Sequence, residues 1–168
     1  INQNKTVNQV KNKIYVKNLN TNKEEEIIFT EEEVYDSSVS LMQRDRNTDD
    51  IYISYSTPKT PSRTFVYNLK TKEKKLVKEQ IIPSGHNSND YIVERLECEG
   101  HYGRIIPITV TRKKTTKLDG NSNLLLYGYG SYGNSMWPSF SSTRLSLINR
   151  DIIWATAHIR GGMERGMK

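Results

Sequence analysis

Apolar and polar residues alternate in short runs through the first half of the chain. Lys13–Leu19 (KIYVKNL), Asp49–Ser56 (DDIYISYS), Arg63–Leu69 (RTFVYNL) and Lys74–Gln80 (KKLVKEQ) carry the period of two that sets one face on a core and the other in water. β-branched and aromatic residues dominate them, as a half-buried pleated surface prefers. Turn-forming clusters separate the runs at Asn20–Lys23, Thr57–Pro61 and Lys70–Lys74. An internal echo joins two of them. Val16, Asn18, Leu19 and Thr21 recur fifty residues later as Val66, Asn68, Leu69 and Thr71, each copy reading strand, polar turn, strand. A hairpin repeat of that period predicts propeller blades, although two hairpins sharing one turn style give the same echo.

The style changes at Ile81–Asn89, where Pro83, Gly85 and an Asn/Ser run break both periodicities. Strands are predicted at Tyr91–Gly100 and Ile105–Lys113. Asn123–Gly130 (NLLLYGYG) follows as a nearly continuous apolar run, expected of a strand buried on both faces. Phe140, Leu145, Leu147 and Ile148 then recur at helical spacing, with Ser139 as the predicted N-cap just after Pro138. Ile152–Ile159 is a second buried-type strand, stopped by Gly161 and Gly162, and Met163–Lys168 starts another predicted helix. Strand, helix, strand with glycines at each strand's carboxyl end is the order of a parallel α/β sheet, whose ligands gather at those ends.

Composition narrows the function. The chain has 168 residues and a formal charge of +6, split +2 over residues 1–83 and +4 over 84–168. The excess is scattered except at Arg112, Lys113, Lys114 and Lys117, read as a solvated loop; nucleic-acid binding needs a denser basic stripe. No apolar run approaches a membrane span of about 20 residues. The acidic run Glu31–Asp36, preceded by Glu24–Glu26, reads as a charged edge that discourages strand-to-strand association. Cys98 is the only cysteine, in a strand-like run, and is expected to be a quiet structural thiol. It fits a reducing, cytoplasmic setting. His86, His101 and His158 lie far apart and give no metal-ligand pattern. No metal or cofactor is expected.

The tyrosine–glycine run Tyr127–Asn134 holds the candidate chemistry. Ser131 lies in Tyr129-Gly130-Ser131-Tyr132-Gly133, which lacks the first glycine of a Gly-x-Ser-x-Gly nucleophile elbow, so Ser131 is a poor nucleophile candidate. Two readings of the loop stay open. It is a tight turn with tyrosines on the surface, or it brings a donor to the oxyanion of a reacting carbonyl. Gly128, Gly130 and Gly133 permit the close backbone approach the second reading needs.

The assembly LLLYGYGSYG…FSSTRLSLINRD…AHIRGG resembles the prolyl oligopeptidase family of serine peptidases, most closely its oligopeptidase B branch. The resemblance implies a mixed fold: the last blades of a β-propeller over residues 1–83, then the first strands and helix of an α/β-hydrolase (peptidase) domain over 84–168. By that resemblance Tyr129 is the oxyanion-hole tyrosine. Tyr132 matches an aromatic position near the specificity pocket, and Arg160, Gly161 and Gly162 match a supporting Arg-Gly-Gly turn. His158 lies in the matching segment without being the triad histidine. The triad order Ser, Asp, His then falls beyond Lys168, so the chain is expected to be a fragment inactive alone, whose partners are a short peptide and the remainder of its own polypeptide. Trp137, taken as substrate-binding, and Ser139 stand where relatives often carry acidic residues linked to preference for basic substrates. Asp151 and Met163 replace family glycines, and Glu164 is retained. The alternatives are a catalytically inactive remnant, a different α/β-hydrolase (an esterase or acylaminoacyl-type peptidase), and a basic nucleic-acid module.

Overall fold

The computed structural model describes residues 2–5, 12–28, 30–40 and 47–164. Strands β1 (Asn2–Lys5), β2 (Asn12–Lys17) and β3 (Glu24–Ile27) form one antiparallel sheet. Strands β4 (Asp36–Ser40), β5 (Asp50–Ser56), β6 (Arg63–Asn68) and β7 (Lys74–Glu79) form a four-stranded antiparallel meander. Alternation does what it predicts. Ile14 and Ile27 from the first sheet meet Ile53, Tyr55 and Tyr67 from the second in one apolar cluster, and Ile53 is fully buried. Full burial of such a side chain is worth about 1.5–3 kcal/mol.

The echo at fifty residues is a hydrogen-bonding device. The Asn18 side-chain oxygen accepts from the Asn20 and Thr21 amides at 2.9 and 3.1 Å. The Asn68 oxygen accepts from Lys70 and Thr71 at 3.0 and 2.9 Å. Each turn is closed by the asparagine's own amide, to the Lys23 carbonyl at 2.9 Å and the Glu73 carbonyl at 3.0 Å. Asn22 and Lys72 occupy the same left-handed position in the two copies, at φ 58° and 64°. The acidic segments are only partly free edge. Glu25 pairs with Lys72 at 2.9 Å, Glu26 with Lys13 at 3.0 Å, and Glu32 accepts from the Tyr55 hydroxyl at 2.8 Å.

The third sheet has the order β10-β11-β9-β8, with β8 (Tyr91–Glu99), β9 (Ile105–Lys113), β10 (Leu124–Gly128) and β11 (Ile153–Ala157). β8, β9 and β11 pair antiparallel, while β10 and β11 run parallel, joined by helix α1 (Ser142–Ile148). His86 sits in the crossover from β7. Its Nε2 lies 2.6 Å from the Lys59 carbonyl and its ring stacks on Tyr91, with Phe140 edge-on. Among the described residues the chain is mostly β with one short α-helix, and no helix is long and apolar enough to cross a membrane.

Four expectations need correction. Among the described residues β10 is not buried on both faces: it stands at the sheet's edge, with β11 on one side, and Leu126 is 63% exposed. The N-cap of α1 is Ser141, whose hydroxyl accepts from the Arg144 amide at 3.3 Å. Ser139 instead closes a tight turn onto the Trp137 carbonyl, and Phe140 is drawn onto His86. Arg112 and Lys113 belong to β9. Arg112 is buried with its guanidinium 3.4 Å from Glu94, and Lys113 donates to the Asn149 carbonyl, which leaves Lys114 and Lys117 as the exposed pair. Cys98 lies in β8 but is exposed. The helix expected from Met163 falls mostly outside the described residues; Met163 and Glu164 belong to a turn.

Helix α1 ends in a Schellman pair. The Ile152 amide reaches the Leu147 carbonyl and the Asp151 amide reaches the Ile148 carbonyl, with Asp151 left-handed at φ 61°. An L side chain there is strained, so Asp151→Gly is expected to raise stability by about 1 kcal/mol. Urea denaturation checks this, and a lower midpoint would refute it. Met163, the other position where family glycine is replaced, does not lie at positive φ and carries no such strain.

Candidate functional site

Two glycine-bearing loops leave the carboxyl ends of the parallel pair β10 and β11, where Gly128 stands opposite Ala157. The first runs from Tyr129 to Trp137, the second from His158 to Glu164. They are locked backbone to backbone. The Gly133 amide donates to the Gly161 carbonyl at 3.0 Å, and Gly133 bridges Gly162. A Cβ on Gly130 would collide with the Arg160 carbonyl oxygen, and a Cβ on Gly161, at φ 98°, with the Gly130 carbonyl oxygen. Glycine is needed at both because the two main chains touch there.

The first loop folds into a type I′ turn. The Asn134 amide bonds the Ser131 carbonyl at 3.0 Å, with Tyr132 and Gly133 at φ 55° and 69°. Positive φ is costly for a large side chain, and the strained residue is also the most displayed: Tyr132 is 95% exposed. Ser131 is exposed on the same turn. Tyr129 is half-buried, immediately beyond the carboxyl end of β10. Trp137 is half-buried where the loop turns toward α1. The Arg160 side chain is exposed, and the carbonyl of the same residue packs on Gly130.

Beneath the loops lies a buried polar chain that sequence reading missed as a unit. Thr109 in β9 lies 2.8 Å, through its hydroxyl, from His158 Nε2. His158 Nδ1 lies 3.7 Å from Glu164 Oε1, too far for a hydrogen bond, with the two side chains 1 and 3% exposed. The same carboxylate oxygen accepts the Met136 amide at 2.6 Å. Burial pushes the Glu164 carboxyl upward, but His158 and the Met136 and Glu164 amides outweigh it and hold the group below the usual carboxylate range. The retained glutamate two residues after the glycine pair was the available signal; one partner, Met136, comes from the other loop, 28 residues earlier. His158 is thereby a structural histidine, tied to the Pro107 carbonyl through its amide as well.

No protein-family model matches the chain. It is 38% identical over 140 residues to dipeptidyl aminopeptidase BI of Pseudoxanthomonas mexicana, covering 83% of this chain and 19% of that protein. It is 33% identical over 139 residues to protease 2 of Moraxella lacunata, covering 83% of this chain and 20% of the relative. Its fold superposes on oligopeptidase B from Trypanosoma brucei, the closed form with covalently bound antipain, at a TM-score of 0.86 and 27% identity, covering 94% of this chain and 23% of that one. The chain belongs to the prolyl oligopeptidase family. It spans about a fifth of the length of these prolyl oligopeptidase relatives. As a prolyl oligopeptidase segment it is homologous to serine peptidases, and within residues 1–168 no serine lies in a Gly-x-Ser-x-Gly elbow.

Proposed function

We propose that this chain supplies the oxyanion-binding corner of a serine-type oligopeptidase acting on short peptides in a reducing, cytoplasmic setting. In this reading residues 1–83 are the last blades of a propeller, and residues 84–168 open an α/β-hydrolase domain whose nucleophile, acid and histidine lie in further sequence. The Tyr129 hydroxyl and a backbone N–H from the nucleophile's own turn receive the negative charge that develops on the scissile carbonyl, as donors aimed at an oxyanion do. Tyr132 and Trp137 flank the substrate side chain. Arg160, Gly161 and Gly162 hold the corner in place. The reaction passes through an acyl-enzyme and uses groups of the polypeptide alone.

One observation carries this reading: two loops at the carboxyl ends of a parallel strand pair are locked main chain to main chain, with Tyr129 half-buried beside the lock. Ligands of α/β sheets bind at such ends, and a donor fixed before reaction needs no reorganisation when charge appears. Without an elbow serine the corner has nothing to serve, so a fluorophosphonate probe is expected to leave the 168-residue chain unlabelled. The same chain continued through a nucleophile-bearing segment is expected to label. Labelling of the 168-residue chain itself would contradict the assignment.

A further inference from the structure

The Glu164 carboxylate accepts the Met136 amide at 2.6 Å and faces the His158 ring at 3.7 Å. The Met136 amide approaches from the first loop, the Glu164 amide from the second, and the His158 imidazole from the end of β11. The His158 ring faces the carboxylate through Nδ1, and its Nε2 lies 2.8 Å from the Thr109 hydroxyl. Oε2 fills the space over Gly162 that a Cβ would take. A carboxylate, acceptor-only and charged, suits this seat; a carboxamide would keep an acceptor for the Met136 amide but lose the charge. Met136 is the residue before Trp137, so what fixes its amide fixes the entry to Trp137 and closes the loop that displays Tyr132.

We infer that the buried Glu164 carboxylate is a positioning residue: seated between His158 and the Met136 amide, it holds the Ser131–Trp137 segment in the register that presents Tyr132 and Trp137 to substrate. This rests on the proposed reading of the corner as a substrate site. Glu164 touches no reacting atom and acts through the loop. Among the described residues the titratable group facing it is His158, at the start of the second loop; the first loop contributes only the Met136 amide. The sign of the pH dependence follows. The folded carboxyl titrates lower than an unfolded one, near 4.3. Its hold on the loop is therefore complete above that value and is lost as pH falls through the lower, folded one.

The test uses the two tryptophans, Trp137 and Trp154. In the Trp154→Phe chain, Trp137 is the single emitter. Acidification is expected to shift its emission, with a midpoint below the ordinary carboxylate range. Glu164→Gln is expected to show the acid-form emission already at neutral pH and no further transition, while Glu164→Asp, which keeps the charge, restores one. A Glu164→Gln emission profile equal to the parent's would overturn the inference. A second readout needs no variant: protection of the Met136 amide against exchange should fall about tenfold or more on acidification, as befits loss of a charged hydrogen bond, while the β9 amides stay protected. A Met136 amide equally protected in acid overturns the inference as well. Neither readout uses substrate. A flat profile removes Glu164 and leaves Tyr129's role standing; an unchanged kcat in Tyr129→Phe removes the oxyanion reading and leaves the Glu164 anchor in place.

Discussion

Tyr129→Phe, made in a polypeptide that includes the nucleophile, is expected to lower kcat about 100- to 1000-fold with KM nearly unchanged. Loss of a single oxyanion-hole donor in a serine protease has that order of effect, about 3–4 kcal/mol. The substitution removes one oxygen and leaves the ring, so the packing of this half-buried side chain beyond β10 is retained. A donor that bonds the oxyanion more strongly than the ground-state carbonyl acts on kcat; one that binds both equally acts on KM. Steady-state kinetics on a short peptide amide separate the two. An unchanged kcat would remove Tyr129 from the mechanism. A raised KM alone would make it a ground-state contact.

Gly161→Ala is expected to cost about 3 kcal/mol of stability, at the upper end of ordinary single substitutions. Two terms add. Gly161 sits at φ 98°, where an L side chain is strained, and its Cβ would enter the space of the Gly130 carbonyl oxygen. Relief requires the two loops to part, which breaks the Gly133–Gly161 bond, worth about 1 kcal/mol. Gly85 is the control. It also has positive φ, 80°, but nothing lies within 4 Å of an added Cβ, so Gly85→Ala should cost about 1 kcal/mol. Urea denaturation reads both as midpoint shifts at constant slope. Equal shifts would show that the backbone lock contributes nothing.

Local chemistry was legible in the sequence where it was self-contained. The Asn18 and Asn68 turns could be seen because one side chain organises the next three residues, and the same four-residue pattern recurs. The β10–α1–β11 unit was legible from its two apolar runs and the helical spacing between them. Apolarity did not reveal exposure. Leu124 and Leu126 read as buried, yet burial depends on a neighbouring strand that local sequence does not specify. Arg112 read as solvated because its charge is visible and its partner, Glu94 across the β8–β9 ladder, is not. The N-cap slipped by two residues because several serines compete and the choice is made by Phe140 packing on His86. At the site, the glycines announced a corner, and Tyr129, Tyr132 and the Arg-Gly-Gly turn fall in it. The Thr109–His158–Glu164–Met136 chain was hidden because its members come from three separate segments, β9 and the two loops.

The most direct measurement is a crystal structure of the nucleophile-containing polypeptide trapped with a peptide boronate, whose tetrahedral oxygen stands in for the oxyanion. The account predicts the Tyr129 hydroxyl about 2.7–3.1 Å from that oxygen, with the Gly133–Gly161 lock intact. A hydroxyl turned away from the boronate, with the oxygen held by other donors, would contradict it.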